Sequence, residues 1–431
     1  MRKHSRLALA TASAAALTGG LLTFSATTAT AADPVHHPVA DFDDDGYGDL
    51  AYSAPVATVD GKTYAGQIVA LYGSPSGVTG ENRTTLSQNT PGIPGSAEIG
   101  DAFGGHSAYG DFDGDGTEDL AIGTASSTVH VFGDGIATSG KPGSYRTFKA
   151  PIRSEEFTGA LDLHAGDANG DRRTDLIVSG IEAGGAWRHN VNFYVPGTAT
   201  GPSVASARKL KPGLVSAVGD INGDGFGDIV TGQHWDPIDD PDVLSAPDSV
   251  TGGKVNITYG SAAGPVTATS TAVSQNTGQV PGTSEREDSF GFEVSLGDIN
   301  GDGFQDLVAA TSDEDLKGVV DAGAVTVLYG SAAGLDTDAG FQYFTQSTAG
   351  VPGTNERYDH FGSEVKLTDV TGDGRADLTV GRAGENFGNG SVVYLPSDGT
   401  KITTTGTRSL GPSAVGVSTH SSPNFSADAA N

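Results

Sequence analysis

The stretch Asp298-Ile299-Asn300-Gly301-Asp302-Gly303-Phe304-Gln305-Asp306 decides the fold, because its pattern occurs six times along the chain. Side-chain oxygens stand at positions 1, 3, 5 and 9, glycine stands at position 6, and an apolar segment follows directly. A hard cation such as Ca²⁺ requires several oxygen ligands on a tight loop, where position 7 offers its backbone carbonyl. The other copies begin at Asp41, Asp111, Asp167, Asp220 and Asp369.

The predicted calcium ligands are the side chains at positions 1, 3, 5 and 9 and the position 7 carbonyl of each loop. In chain order they are Asp41, Asp43, Asp45, Tyr47, Asp49, Asp111, Asp113, Asp115, Thr117, Asp119, Asp167, Asn169, Asp171, Arg173, Asp175, Asp220, Asn222, Asp224, Phe226, Asp228, Asp298, Asn300, Asp302, Phe304, Asp306, Asp369, Thr371, Asp373, Arg375 and Asp377. In the third loop Arg172 replaces the glycine, where a left-handed backbone costs about 1 kcal/mol. In the sixth loop Thr371 offers one weaker oxygen. We therefore expect about four to six Ca²⁺ ions, with these two loops the weakest sites.

An EF-hand is the competing interpretation of this loop pattern. An EF-hand needs a bidentate Glu at position 12 and a helix on each side. Position 12 is instead occupied by apolar or hydroxyl residues inside predicted strands, namely Tyr52, Ile122, Val178, Thr231, Ala309 and Val380. The EF-hand is therefore excluded, and the Asp at position 9 takes the place of the missing Glu.

Composition narrows the class of protein and of partner. The chain has 431 residues, with 64 Gly, 20 Pro and no Cys, which favours turn-rich β architecture and excludes disulfides and thiol chemistry. The formal net charge is −29, so nucleic acid is an unsuitable partner, since phosphate binding needs a basic face. Bound cations would offset part of this charge.

The first thirty-one residues are predicted to be a secretory signal peptide. Arg2, Lys3 and Arg6 form a basic start, an apolar stretch runs to Phe24, and a small-residue cleavage pattern ends at Ala31. A membrane anchor is the alternative, but the apolar part is short and interrupted by Thr and Gly. No later segment is apolar enough to span a bilayer. We expect a secreted, monomeric protein with one domain over residues 32–431.

The spacing of the loops indicates a closed ring of six repeat units. Their first residues are separated by 70, 56, 53, 78 and 71 residues, and the mature ends joined together make one more unit of this size. Each loop is followed by a short strand, a variable segment and an alternating strand. Phe103, Phe290 and Phe361 each stand eight residues before a loop and are followed by glycine, and the segment around Phe425 is a degraded copy.

Four short strands per unit, without helical periodicity, predict an all-β fold: a β-propeller of four-stranded blades. A β-solenoid and a string of separate calcium modules are the alternatives. Separate modules would each need a core, and one unit carries too few large apolar residues to build it. The position of Phe425 further predicts that the two ends of the chain meet in one blade, which removes a sheet edge.

The phenylalanine-glycine pair, the Asp-x-Asn-Gly-Asp-Gly loop and the Tyr-Gly-Ser turns at Tyr72, Tyr259 and Tyr329 resemble the FG-GAP repeats of the integrin α-subunit propeller and its bacterial secreted relatives. The resemblance covers residues 35–431. It implies a propeller with Ca²⁺ in the loop between the first two strands of a blade, and a role in cell adhesion or ligand binding. Such propellers usually have seven blades, whereas six units are countable here, so seven remains the alternative.

Two corresponding loops between second and third strands carry both Trp residues of the chain. The candidate ligand-binding residues are Trp187, His189, His234, Trp235 and Asp236. These loops should emerge on the face opposite the calcium loops, where exposed aromatic side chains beside acids can stack on a sugar or receive a basic side chain. Packing of the Trp side chains on the rim is the alternative.

No familiar catalytic motif occurs in the sequence, since nucleophile-elbow, zinc-protease and phosphate-loop patterns are all missing. We therefore predict a non-catalytic binding or adhesion module for an extracellular protein or glycan. An extracellular hydrolase or lyase acting on polysaccharide or phospholipid is the alternative. It would require His234 or His189 within hydrogen-bond reach of a carboxylate in a pocket. A purely structural exported protein is a third possibility.

Overall fold

A computed structural model describes residues 41, 45–91, 93, 95–101, 103, 106–123, 127–133, 144–152, 162–182, 190–235, 248–420 and 422–426. The predicted signal peptide and its cleavage site lie outside these residues, as do Asp43, Trp187, His189 and Asp236. No helix among the described residues is long and apolar enough to cross a membrane.

The described chain is almost entirely β. Its strands are β1 Leu50–Ala54, β2 Gln67–Leu71, β3 Arg83–Leu86, β4 Ser107–Gly110, β5 Asp119–Gly123, β6 Thr128–Gly133, β7 Ser144–Lys149, β8 Asp162–Gly166, β9 Asp175–Ile181, β10 Asn190–Val195, β11 Arg208–Lys209, β12 Val215–Gly219, β13 Asp228–Gln233, β14 Lys254–Thr258, β15 Thr271–Val273, β16 Phe290–Gly297, β17 Asp306–Thr311, β18 Ala324–Leu328, β19 Gln342–Phe344, β20 Phe361–Thr368, β21 Asp377–Arg382, β22 Ser391–Leu395 and β23 Arg408–Leu410. The helical elements are short turns, Val204–Ser206, Glu385–Gly388 and Pro412–Val415.

The strands form six antiparallel sheets, which are the six blades of a β-propeller. Five sheets have four strands in chain order, and the first blade has the three strands β1, β2 and β3. The first strands of successive blades contact one another, from β4 to β8, β12, β16 and β20, which places them around the axis. Each predicted calcium loop from Asp111 onward joins the first and second strands of a blade, as expected. The seven-bladed alternative is wrong, because the repeats close into six sheets.

The C-terminal segment supplies the missing inner element of the first blade. Phe425 bridges to Gly390 as Phe290 bridges to Gly253 in another blade, and the Ser426 amide donates to the Ser53 carbonyl at 3.3 Å. The residues one and three places before each phenylalanine share a left-handed backbone, in Glu287 and Ser289, Tyr358 and His360, and Ser422 and Asn424. This shared conformation identifies the C-terminal segment as a third copy of the same element.

The apolar core is divided among the interfaces between blades. One cluster joins the fifth and sixth blades around Val308, Val365 and Leu378, and another joins the sixth and first around Tyr52 and Phe425. Smaller clusters fill the remaining interfaces. Because a single blade buries little apolar surface alone, the ring must be complete before any blade has a full core. The predicted calcium loops are thereby held at fixed places on one face.

Candidate calcium loops

The carboxylate at position 1 organises the backbone of every loop. In the second loop the amides of Gly114 and Asp115 donate to Asp111 Oδ1 at 2.6 and 3.1 Å, and the amide of Gly116 donates to Oδ2 at 2.9 Å. The same bonds from positions 5 and 6 to position 1 recur in the other loops. One acid therefore satisfies several turn amides at once.

The second loop brings three carboxylates to one point. Oxygen atoms of Asp111, Asp113 and Asp115 all lie within 4.8 Å of one another, and this is the one such group of three His, Cys, Asp or Glu ligands among the described residues. The Oδ1 atom of Asp113 is buried without a hydrogen-bond partner, although its Oδ2 pairs with Arg146 at 2.8 Å. Three converging carboxylates with an unsatisfied oxygen fit a hard cation such as Ca²⁺.

The Asp at position 9 is a brace between the loop and the rest of the blade. One oxygen accepts the amide that follows the third strand, from Gly73, Gly197, Gly260, Gly330 or Ser397, at 2.8 to 2.9 Å. The other accepts the position 2 amide in four loops. In the second loop Asp119 stays outside the group of three carboxylates. The Asp at position 9, which the sequence predicts to be a calcium ligand, therefore also has a structural role as a hydrogen-bond acceptor for the backbone.

Burial shifts the pKa of these acids upward. It raises the pKa of Asp119, Asp175, Asp228 and Asp306 to about 7 and that of Asp377 to about 6, and neighbouring loop carboxylates add to the effect. Burial also raises the pKa of Asp167 and Asp220 at position 1. Without a cation, these loops confine negative charge that the folded protein disfavours.

Position 6 requires a left-handed backbone, as the pattern predicts. Gly116, Gly225, Gly303 and Gly374 have φ between 82° and 91°, and Arg172 adopts φ 67° in the third loop. Arg172 therefore carries the expected strain, while its amide still donates to Asp167 Oδ2 at 2.7 Å.

The side chain at position 7 connects neighbouring blades, a relationship that the sequence pattern does not reveal. A methyl group built on Gly223, at position 4 of the fourth loop, would lie 2.7 Å from the ring of Phe304, at position 7 of the fifth. Tyr47, Arg173, Phe226 and Arg375 likewise cover the position 4 glycines Gly372, Gly114, Gly170 and Gly301. A glycine at position 4 therefore leaves room for the position 7 side chain of the next loop, which packs against it.

On the face opposite the predicted calcium loops, Trp235 is not exposed, contrary to the expectation from the sequence. Trp235 is 4% exposed, and its ring lies 4.9 Å from that of His234, which also contacts Phe292. The indole is thus packed in the protein, so the expectation of an exposed stacking surface is wrong for Trp235. His234 therefore packs between the rings of Trp235 and Phe292.

A histidine–carboxylate pair occurs elsewhere on this face. His360 Nδ1 lies 2.9 Å from Asp313 Oδ1, and the Ser289 hydroxyl donates to Asp313 Oδ2 at 2.7 Å. The hydrogen bond to Asp313 raises the pKa of His360. Burial favours the neutral form of Asp313, but the hydrogen bonds from His360 and Ser289 outweigh this and hold the pKa of Asp313 below its usual value. The sequence pattern alone does not identify His360 as a candidate, although its position directly before the Phe361-Gly362 pair could have drawn attention to it.

Comparison with known proteins agrees with this architecture. Residues 290–328, in the fifth blade, match the family model of the FG-GAP repeat. Phosphatidylinositol-glycan-specific phospholipase D from Bos taurus is 28% identical over 183 residues, 40% of this chain and 21% of that protein. The Mus musculus protein of that name is 30% identical over 149 residues, 32% of this chain and 17% of its own. The chain spans about a fifth of these relatives. The FG-GAP repeat matched in the fifth blade and the six blades of the propeller are consistent with the predicted resemblance to the integrin α-subunit propeller.

Proposed function

We propose that this chain is a secreted, calcium-stabilised propeller that binds an extracellular protein or glycan without catalysing a reaction. The observation that carries the calcium part is the group of Asp111, Asp113 and Asp115, with its buried and unsatisfied oxygen. The repeated backbone frame of the other loops extends it to about four to six ions. Calcium would offset carboxylate repulsion and hold the loops between blades in place.

Secretion rests on the sequence of residues 1–31, which we propose are removed after Ala31, leaving a domain over residues 32–431. Millimolar extracellular calcium suits loops whose affinity is expected to be modest, with a dissociation constant on the order of 10⁻⁴ M as in other extracellular modules. Sequencing the N-terminus of the protein recovered from culture medium tests this proposal. An N-terminus at Ala32 supports it, and a protein retained with Met1 contradicts it.

Calcium binding is tested by titrating Ca²⁺ into chelator-treated protein in a calorimeter. We expect several sites in the wild-type protein and one fewer in the double variant Asp113→Asn with Asp115→Asn. The control is Asp336→Asn, an exposed acid on a turn outside the loops, which should leave the number of sites unchanged. Absence of binding at millimolar Ca²⁺ would refute the calcium proposal.

The binding role is tested with arrays of purified glycans and extracellular matrix proteins at millimolar Ca²⁺. Binding to one class that falls after chelation supports a calcium-dependent binding module. Absence of any ligand in the presence of calcium, from a protein that still melts cooperatively, would favour a purely structural role.

An extracellular hydrolase is the second candidate, because His360 and Asp313 form a histidine–carboxylate pair beside a pocket and the relatives are named as phospholipases D. The geometry weakens this reading. In a catalytic triad the histidine lies between the nucleophile and the acid, whereas here Asp313 lies between Ser289 and His360. Hydrolysis of a phosphodiester substrate by the wild type that His360→Gln abolishes would overturn the non-catalytic proposal.

A further inference from the structure

A pocket of about 420 Å³ lies on the sixth blade, at the end opposite its calcium loop. It is formed by residues 356–360, directly before β20, and by the short helical turn Glu385–Gly388 between β21 and β22. Asn424, from the C-terminal segment, completes its wall. Its volume is in the range of sites that bind small ligands.

Two exposed aromatic rings stand beside this pocket. Phe387 is 98% exposed and Tyr358 is 48% exposed, and both adopt left-handed backbones with φ 63° and 67°. A bulky residue in this conformation is strained, and Asn386 beside Phe387 shares it. The corresponding connection of the fifth blade also has left-handed residues, Lys317 and Asp321, so the exposure of the Phe387 ring is what sets this loop apart. Aromatic rings exposed to water beside a pocket suggest a ligand.

Apart from Ala383 and two glycines, the other residues of the lining are polar. They include the carboxylates of Glu356 and Asp359, the imidazole of His360 and the amide groups of Asn386 and Asn424. The cation of Arg357 lies over the Tyr358 ring, with its central carbon 4.6 Å from the ring centroid. These groups offer hydrogen-bond donors and acceptors around the aromatic rings without presenting a group of bases to an anion.

We propose that this pocket binds an uncharged pyranose sugar, with Phe387 and Tyr358 as stacking platforms and the polar lining as hydrogen-bond partners of the hydroxyl groups. A sugar ring presents apolar C–H faces and polar edges, which is the pairing that the pocket provides. This inference rests on the proposed binding function and narrows it to one site and one ligand class.

Two other ligand classes fit less well. A protein partner needs an interface of roughly 800 Å² per side with an apolar centre, but apart from Phe387 and Tyr358 the large exposed apolar residues of the described surface belong to other blades. An anionic sugar would meet the carboxylates of the lining in a protein of formal net charge −29. The pocket therefore favours a neutral saccharide.

The test is saturation-transfer difference NMR at millimolar Ca²⁺, with the methyl glycosides of glucose, mannose, galactose and N-acetylglucosamine as probes. We expect at least one to bind the wild type and to bind about tenfold more weakly to Phe387→Ala and to Tyr358→Ala. The matched control is Tyr64→Ala, which removes a ring that is 49% exposed in another left-handed turn, in the first blade. It should bind as the wild type does.

Four results would overturn the inference. Binding of no glycoside, by a protein whose calcium-dependent melting is intact, removes the sugar site but leaves the calcium proposal standing. Binding that survives both substitutions in the sixth blade places the sugar elsewhere and still supports a glycan-binding function. Loss of binding in Tyr64→Ala as well shows that the effect is not specific to this pocket. A protein ligand on the matrix array that competes with no glycoside would favour the protein partner instead.

Discussion

The backbone amide of Gly48 donates a hydrogen bond of 2.8 Å to the carbonyl oxygen of Asp369, and this bond joins the first predicted calcium loop of the chain to the last. The same bond links position 8 of one loop to position 1 of the preceding loop at Thr174 and Asp111 and at Ala376 and Asp298. The loops thus form a linked belt on one face. A cation that orders one loop would therefore also hold in place the position 1 carbonyl to which the next loop donates its hydrogen bond.

Phe425 should be essential for closing the ring. Its side chain is fully buried and its ring meets that of Tyr52 edge to face, with centroids 6.0 Å apart. We expect Phe425→Ala to lower the free energy of unfolding by about 3–5 kcal/mol, measured by urea denaturation. Phe387→Ala is the control, because that ring is 98% exposed and its removal should cost less than about 0.5 kcal/mol. Equal effects would contradict the closure.

The contact between Phe304 and Gly223 should couple two blades. Gly223→Ala places a methyl group against the Phe304 ring on a backbone with φ +72°, so we expect a loss of about 2 kcal/mol in calcium-saturated protein. Adding Phe304→Ala should recover part of this loss, by at least about 0.5 kcal/mol of coupling. Gly116→Ala, at φ +91° with open space around it, should lose only the cost of backbone strain. Strict additivity of the two substitutions would argue against the contact.

Glu314 should make the fifth blade sensitive to pH near neutrality. Burial raises its pKa to about 7, the hydrogen bond from Gln275 opposes this shift, and nearby carboxylates add to it. The corresponding Glu385 of the sixth blade instead pairs with the buried Arg382 at 2.9 Å. Because the folded pKa of Glu314 exceeds its unfolded value, ionisation costs stability, and this cost should be lost as the pH falls from 8 to 5.

The role of Glu314 can be tested by introducing into the fifth blade an arginine that corresponds to Arg382, which pairs with Glu385 in the sixth blade. Thr311 and Arg382 both end the second strand of their blade, and Tyr343 and Ser409 are both the middle residue of the fourth. We expect the double variant Thr311→Arg with Tyr343→Ser to be more stable than the wild type at pH 8 by about 1–2 kcal/mol, and less so at pH 5. Melting temperatures in saturating Ca²⁺ measure this. An equal difference at both pH values would contradict the role of Glu314.

Removal of calcium should reverse the pH dependence of stability. In the metal-free protein, burial raises the pKa of five position 9 acids above their unfolded values, to about 7 for Asp119, Asp175, Asp228 and Asp306 and to about 6 for Asp377. Metal-free protein should therefore become more stable as the pH falls from 8 to 5, because the protonated acids no longer hold a buried charge or repel one another. With calcium, protonation competes with the ion and stability should fall over the same range. Two melting series, with and without chelator, should cross.

Much of the fold follows from the sequence, because repetition makes local signals reinforce one another. The six loops predict the joint between first and second strands, and the phenylalanine-glycine pairs predict the inner strands. Even the degraded copy at Phe425 takes its expected place. Counting the repeat units predicts six blades correctly, whereas the seven blades that are usual in the integrin-like family are the wrong number for this chain.

The contacts between blades could not be predicted from one sequence. The packing of Tyr47 on Gly372 joins residues far apart in the chain, and its pattern emerges only when the blades are placed side by side. The burial of Trp235 likewise depends on Phe292, which belongs to the next repeat. Sequence spacing predicts which loop a side chain occupies, but its exposure depends on neighbours from other blades.

Calorimetric melting at pH 8, with 10 mM Ca²⁺ and then with excess chelator, tests the central claim most directly. For sites with a dissociation constant of roughly 10⁻⁴ M, each ion should add about 2.7 kcal/mol. For a domain of this size we expect about 3 °C per ion and a total rise of roughly 10 °C with several ions bound. A midpoint that is the same with calcium and with chelator would contradict the account that calcium holds the loops of the ring together.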